Sequence, residues 1–172
     1  MLTVAAVAAV FDYAYSELSA LVWHVRHGFH TEVWGTRLLV PLSYEADEPN
    51  GLPSLSITKL PGHFSGAWGV ILIDLRSRIS PEGVEAADAL ARQRGIKAVI
   101  DKARVGERPA VFAGRQGKCV EYRNEVVEYR LQGFEIVCGF EGEVSVQFLG
   151  SPKLKDDFYR IIQSAEAVKG KS

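Results

Sequence analysis

Phe134 to Phe148, FEIVCGFEGEVSVQF, is the stretch whose reading decides the fold. Phe134, Ile136, Cys138 and Phe140 form one apolar row with a period of two, and Val144, Val146 and Phe148 form a second. A two-residue turn at Glu141-Gly142 would place the rows on opposite faces. A three-residue loop, Glu141 to Glu143, sets Phe140 opposite Val144 and Cys138 opposite Val146, so that both rows bury together. Burial of one face selects the longer loop and an antiparallel hairpin.

Outward from that hairpin, the next element is helical. Ser151 and Pro152 open a helix expected over residues 153–168, with Leu154, Phe158, Ile161, Ile162, Ala165 and Val168 on its apolar face. Before the hairpin, Cys119 to Arg123 and Val126 to Leu131 alternate weakly. Gly106, Pro109, Gly114 and Gly117 break every period in residues 101–117, leaving one short strand at Ala110 to Ala113 and another at Ile96 to Ile100. Ser80 suits a helix cap, Pro81 the first helical position and Glu82 the positive end of the helix dipole. The helix predicted over 81–94 would bury Val84, Ala87, Leu90 and Ala91 and stop at Gly95.

Trp68 to Leu75, WGVILIDL, is apolar on both parities and is expected near the middle of a sheet with both faces covered, at least one of them by a helix. Leu55 to Leu60 reads as a strand, and Pro49-Asn50-Gly51 as a turn. A hairpin over 29–42 follows from alternation about Gly35-Thr36, which as a turn pairs Val33 with Leu38, Thr31 with Val40 and Phe29 with Leu42. With no regular β-α-β alternation, the expected fold is α+β, a mostly antiparallel sheet with packed helices, preceded by an N-terminal hydrophobic helix. A two-sheet sandwich with helices at its edge is the alternative.

That first helix divides the expected organisation into residues 1–23 and a single α+β domain over 24–172. Leu2 to Trp23, LTVAAVAAVFDYAYSELSALVW, has about the length of a bilayer-spanning helix, roughly 20 residues. Val4, Ala8, Phe11, Tyr15, Leu18 and Val22 form a continuous stripe at helical spacing. Two readings stand. In one it is a membrane anchor, with an extracytoplasmic domain behind it; Asp12 and Glu17 and the lack of a basic flank oppose this. In the other, a cytoplasmic protein packs the stripe on its own domain, on a protein partner or on a second copy through residues 2–23. Deleting residues 1–22 is then expected to alter membrane association or oligomeric state while residues 28–168 keep their sheet.

Twenty Lys and Arg against twenty-one Asp and Glu give a net charge of -1, which provides no general field for nucleic acid, and none is expected as a partner. His24, His27 and His30, spaced by three, are the metal-ligand candidates, with Glu32 able to join them; the alternative is polar surface histidines. His63 lies far along the chain. Cys119 and Cys138 are the only cysteines, and in an oxidising compartment they are candidates for a disulfide with each other. Asp74 and Asp101 end apolar runs, where catalytic carboxylates and turn formers both occur. GRQGK at 114–118, with Lys97, Lys102, Arg104 and Arg108, makes a basic stretch suited to an anion or to a solvated surface. No nucleotide loop or metalloprotease motif is present, and no catalytic residues or cofactor are assigned. The expected function is a non-catalytic interaction or scaffold domain, with a small-ligand or metal-binding domain, or an enzyme of another class, as the alternatives.

Overall fold

The hairpin at 134–148 forms in the predicted register. In a computed structural model that describes residues 15, 17–47, 54–61, 66–77, 79–94, 100–126 and 131–168, β8 (Leu131–Phe140) pairs with β9 (Val144–Gly150), with Phe140 opposite Val144 and Cys138 opposite Val146. Gly142 and Glu143 take left-handed backbone angles in the connecting loop. Around this hairpin a seven-stranded antiparallel sheet runs in the order β3-β4-β5-β9-β8-β7-β6. Its other strands are β3 (Glu45–Asp47), β4 (Ser54–Lys59), β5 (Gly69–Asp74), β6 (Ile100–Phe112) and β7 (Arg115–Val126). A second sheet, in the order β1-β2-β10, contains β1 (His30–Val33), β2 (Thr36–Leu39) and β10 (Glu166–Ala167).

The helices are α1 (residues 17–27), α2 (Pro81–Gln93) and α3 (Lys155–Gln163), the last entered through a 3-10 turn at Pro152–Leu154. The fold is therefore α+β and mostly antiparallel sheet. Residues 1–14 and 16 lie outside the described residues, and so does most of the N-terminal helix expected there; α1 runs past residue 22 to 27.

The principal core lies on one face of the large sheet. Leu55, Ile57, Ile71, Ile73, Ile136, Cys138, Val146 and Phe148 point there and meet Phe158, Ile161 and Ile162 of α3 and Leu38 and Val40 of the β2 segment. Each such side chain, fully buried, contributes about 1.5–3 kcal/mol. A smaller cluster on the opposite face joins Val120, Tyr122 and Val137 to Val84 of α2.

Several expectations are corrected. The β1–β2 turn is Trp34-Gly35, both with positive φ, so Val33 opposes Thr36 and Thr31 opposes Leu38. A slip of two residues keeps each side chain on its face, so alternation could not separate the two registers; a turn with left-handed angles at both centres matches strand twist and decides it. Phe29, placed in the buried row, is half exposed. β6 is one strand of thirteen residues rather than a broken loop. As a sheet edge bonded only to β7, it accommodates Pro109, and a bulge between Arg104 and Gly106 absorbs the break in period.

α2 starts as expected, with Ser80 Oγ accepting a hydrogen bond from Gly83 N at 3.1 Å. Its stripe is not buried, however: Leu90 is 45% exposed and Ala87 is exposed, because α2 rests on the sheet through Val84 and Glu85 over β7 and β8. β5 is consequently covered on one face only, and Leu72 on the other is half exposed. The last helix ends at Gln163, and the chain turns at Ser164 so that Glu166 and Ala167 pair with Arg37 and Thr36, leaving Val168 exposed.

Candidate functional site

α1 lies against β3, one edge of the large sheet, and the connection that leads into it. An edge strand has unpaired backbone carbonyls, so the contact face of the helix is polar as well as apolar. Trp23 Nε1 donates to Ala46 O at 2.8 Å, Ser19 Oγ donates to Glu45 Oε2 at 2.7 Å, and Ala20 is buried between them. The opposite face is apolar and faces solvent. Leu18, Leu21, Val22 and Val25, at the i, i+3, i+4, i+7 spacing of one helical stripe, are all exposed, Val25 to 81%, and Tyr15 is exposed beside them. Of the stripe read from sequence, Tyr15, Leu18 and Val22 therefore point outward, and Val4, Ala8 and Phe11 lie outside the described residues. Among the described residues no helix is long and apolar enough to cross a membrane.

The three histidines separate by role. His24 is buried, with Nδ1 2.7 Å from Gly28 O and Nε2 2.9 Å from Pro41 O. Both ring nitrogens are thus occupied by backbone carbonyls, and neither is available to a metal. His27 is exposed, stacks on Trp23 with centroids 4.8 Å apart, and donates from Nδ1 to Trp23 O at 2.9 Å. His30 is exposed on β1 with Glu32 two residues on. Among the described residues no three His, Cys, Asp or Glu side chains are grouped to hold a metal ion. His27, His30, Thr31 and Glu32 instead share a cleft of about 500 Å³ with Trp23, Ala46 and Asp47.

Cys119 and Cys138 stand directly opposite one another on β7 and β8, fully buried, with Cα atoms 4.0 Å apart and sulfurs at bonding distance. Two residues along β7, Glu121 is the centre of a polar cluster that the sequence reading did not single out. Its carboxylate is 5% exposed and accepts from Lys155 Nζ at 2.6 Å, Tyr159 Oη at 2.9 Å and Arg108 Nη2 at 3.2 Å. Arg108 also lies over the Tyr159 ring, 3.4 Å from its centroid. Gly106 opposes Glu121 across the bulge, and a Cβ there would come within 3.0 Å of Glu121 Oε2. Burial pushes the Glu121 carboxyl up, but the hydrogen bonds from Lys155, Tyr159 and Arg108 outweigh it and hold the group below its ordinary range. Burial, followed by the hydrogen bond to Glu121, drives the Tyr159 hydroxyl well above the usual phenol value. An acid at an alternating position of a weakly patterned strand was the one sequence signal for this cluster.

The remaining candidates are dispersed. Asp74 Oδ1 accepts from Arg76 N at 2.9 Å, as a turn former does. Asp101 opposes Glu125 near the other end of the sheet, far along the strands from the Asp74–Ser145 pair. His63 and Lys97 lie outside the described residues. The basic stretch is neutralised locally: Lys102 pairs with Glu135, Arg104 with Glu85 and Glu107, and Lys118 with Glu82. Gly114 of GRQGK forms the β6–β7 turn with Ala113. A cleft of about 580 Å³ at the α2 N-terminus is lined by Lys118 with Glu82, Glu141 and Glu143, a balance that does not favour an anion.

No family model and no curated protein matches the sequence. Among solved structures the chain is similar to the solution structure of cyanobacterial PsbP (CyanoP) from Synechocystis sp. PCC 6803, with 13% sequence identity and a TM-score of 0.46 over 77% of this chain and 86% of that one.

Proposed function

We propose that the chain is a non-catalytic interaction domain held at a membrane by its N-terminal segment, with the α+β domain on the extracytoplasmic side. The observation that carries this reading is the outward face of α1. Leu18, Leu21, Val22 and Val25 are turned away from the domain's own core, although leaving such a stripe in water is unfavourable. The sequence continues the apolar phase upstream through Val4, Val7 and Phe11, and Arg26 and His27 follow the stripe where headgroups would lie. Cys119 and Cys138, placed to bond, fit an oxidising compartment. His24, Asp74 and Glu121 are engaged in structural contacts, which supports a structural rather than a chemical role for these three.

Self-association through the same face is the second reading, favoured by five alanines between Ala5 and Ala14 that would let backbones approach closely. Replacing Leu21 and Val25 together by glutamate tests both, because neither side chain supports the core. Cell fractionation and light scattering of the full chain and of the L21E/V25E variant are the measurements. The membrane reading expects the variant to leave the membrane fraction with its thermal stability unchanged. Loss of a dimer without any membrane fraction would select self-association. A variant and parent that are both soluble monomers would overturn both readings.

A further inference from the structure

We propose that the outer edge of β1 is a docking site for an extended, basic peptide segment of a partner protein, which adds there as a further strand. This surface is separate from the outward face of α1, and it does not depend on how that face is used.

The backbone supplies the recognition. In a two-residue hairpin the residues flanking the turn exchange hydrogen bonds, and the bonded pairs then alternate along the strands. Val33 opposes Thr36 and Thr31 opposes Leu38, and one step further Val40 N donates to Phe29 O at 2.9 Å, as that alternation requires. The N–H and C=O groups of His30 and Glu32 therefore point away from β2. Two residues apart on one edge, they form the donor and acceptor set that an added strand uses. β10 lies on the far side of β2, so among the described residues β1 is an open edge of the small sheet.

The edge strands β6 and β1 differ in how they are guarded. β6 has a bulge, Pro109 and the cations Lys102, Arg104 and Arg108, the features that discourage strand addition. β1, HTEV, has no proline, bulge or lysine. It borders the cleft of about 500 Å³ between β1 and β3, whose other walls are the stacked Trp23 and His27. A second depression of about 370 Å³ continues from His27 and His30 to Phe29 and Arg37. Ala46 O on the β3 side is already bonded to Trp23, so the added strand pairs with β1 alone.

Charge selects the side chains. Glu32 and Asp47 are exposed carboxylates on opposite walls of the cleft, and Arg37, opposite Glu32 on β2, stands between Glu32 and Glu166 of β10, so acids outnumber it. Lysine or arginine at alternate positions of a bound strand meets these carboxylates.

The test is an NMR titration of the isotope-labelled full chain with the peptide Ac-TKVKVK-NH2. Its controls are Ac-TEVEVE-NH2 and a lysine peptide N-methylated at alternate residues. The expected result is roughly millimolar binding, typical of so short a ligand. It should shift the His30 and Glu32 amides and slow their exchange, with at least about fivefold weaker binding of either control. Glu32→Pro removes one outward N–H and leaves the bonds to β2, and should abolish binding. The E32K/D47K variant guards against a folding defect in the proline variant, because it should reverse the preference towards the glutamate peptide. No shifts at several times that concentration, shifts centred elsewhere, equal binding of the N-methylated peptide, or an unchanged preference in E32K/D47K would each overturn the proposal. None of these outcomes bears on the α1 variant, so failure here is distinguishable from failure of the membrane reading.

Discussion

The Tyr159 hydroxyl donates a 2.9 Å hydrogen bond to Glu121 Oε1, and so joins α3 to β7 through a carboxylate that is almost entirely withdrawn from solvent. Lys155 and Arg108 bond the same carboxylate, from α3 and from the edge strand β6. The cluster thereby ties the last helix to two strands at the position where β6 bulges.

Removing either partner separates the contributions. Tyr159→Phe deletes one bond to a charged group and should cost about 1.5–3 kcal/mol in urea unfolding. Glu121→Gln should cost a similar amount, about 1–3 kcal/mol, because Lys155 and Arg108 are partly exposed and can regain water. Unchanged midpoints in both variants would show that the cluster does not stabilise the fold.

The same group sets the acid limb of stability. Glu121 titrates lower in the folded chain than its ordinary value of 4.5, so its contribution is present above that value and is lost as pH falls through the lower folded value. Tyr159 is shifted upward, so its contribution is present below the ordinary phenol value of 10.0 and is lost as pH rises beyond it. Stability measured against pH should therefore fall less steeply on the acid side in Glu121→Gln, and less steeply on the alkaline side in Tyr159→Phe. Superimposable slopes would refute the assignment.

The cysteine pair makes a separate prediction. Cys119 and Cys138 are 19 residues apart in sequence and directly opposed on paired strands. A bond between them closes a loop whose entropy corresponds to about 3 kcal/mol in the chain-entropy treatment. Reduction should lower stability by about that amount without loss of the sheet, since β8 pairs with β7 from Leu131 to Phe140. Alkylation followed by mass measurement, with and without reduction, reads the state in protein taken from its native compartment. Two freely alkylated thiols without reductant would remove the bridge and weaken the extracytoplasmic reading.

Burial distinguishes α3 from α2. Phe158 is fully buried against Phe148, with ring centroids 5.5 Å apart, and Phe158→Ala should cost about 3–5 kcal/mol. Leu90 of α2 is largely exposed, and Leu90→Ala should change stability by no more than about 0.5 kcal/mol. A large loss at Leu90 would mean that α2 is covered by a partner in solution.

Turn chemistry is tested at Gly35. An added Cβ there would meet nothing within 4 Å, yet φ is +73°, where an L side chain is strained. Gly35→Ala should cost about 1–2 kcal/mol from the backbone alone. A neutral substitution would refute the left-handed backbone at Gly35.

Local patterns in the chain were enough for elements whose alternatives differ by one residue or by a period. At 134–148 a wrong loop length would have moved a whole apolar row to the other face, so Phe140 and Val144 specified the register unaided. Ser80 and Pro81 likewise specified the start of α2, because capping is completed within one turn. Tertiary structure was needed wherever alternatives share a face or a partner lies far away. The β1–β2 register, separated from its rival by two residues, depended on backbone angles at Trp34 and Gly35. The long β6 depended on its place at a sheet edge, where Pro109 and a bulge are tolerated. Which side of α1 faces the domain depended on unpaired carbonyls of β3 that reward Trp23 as a donor, and periodicity carries no information about such a neighbour. The Glu121 cluster joins residues from position 108 to position 159, and only the packed fold brings their charges within bonding distance.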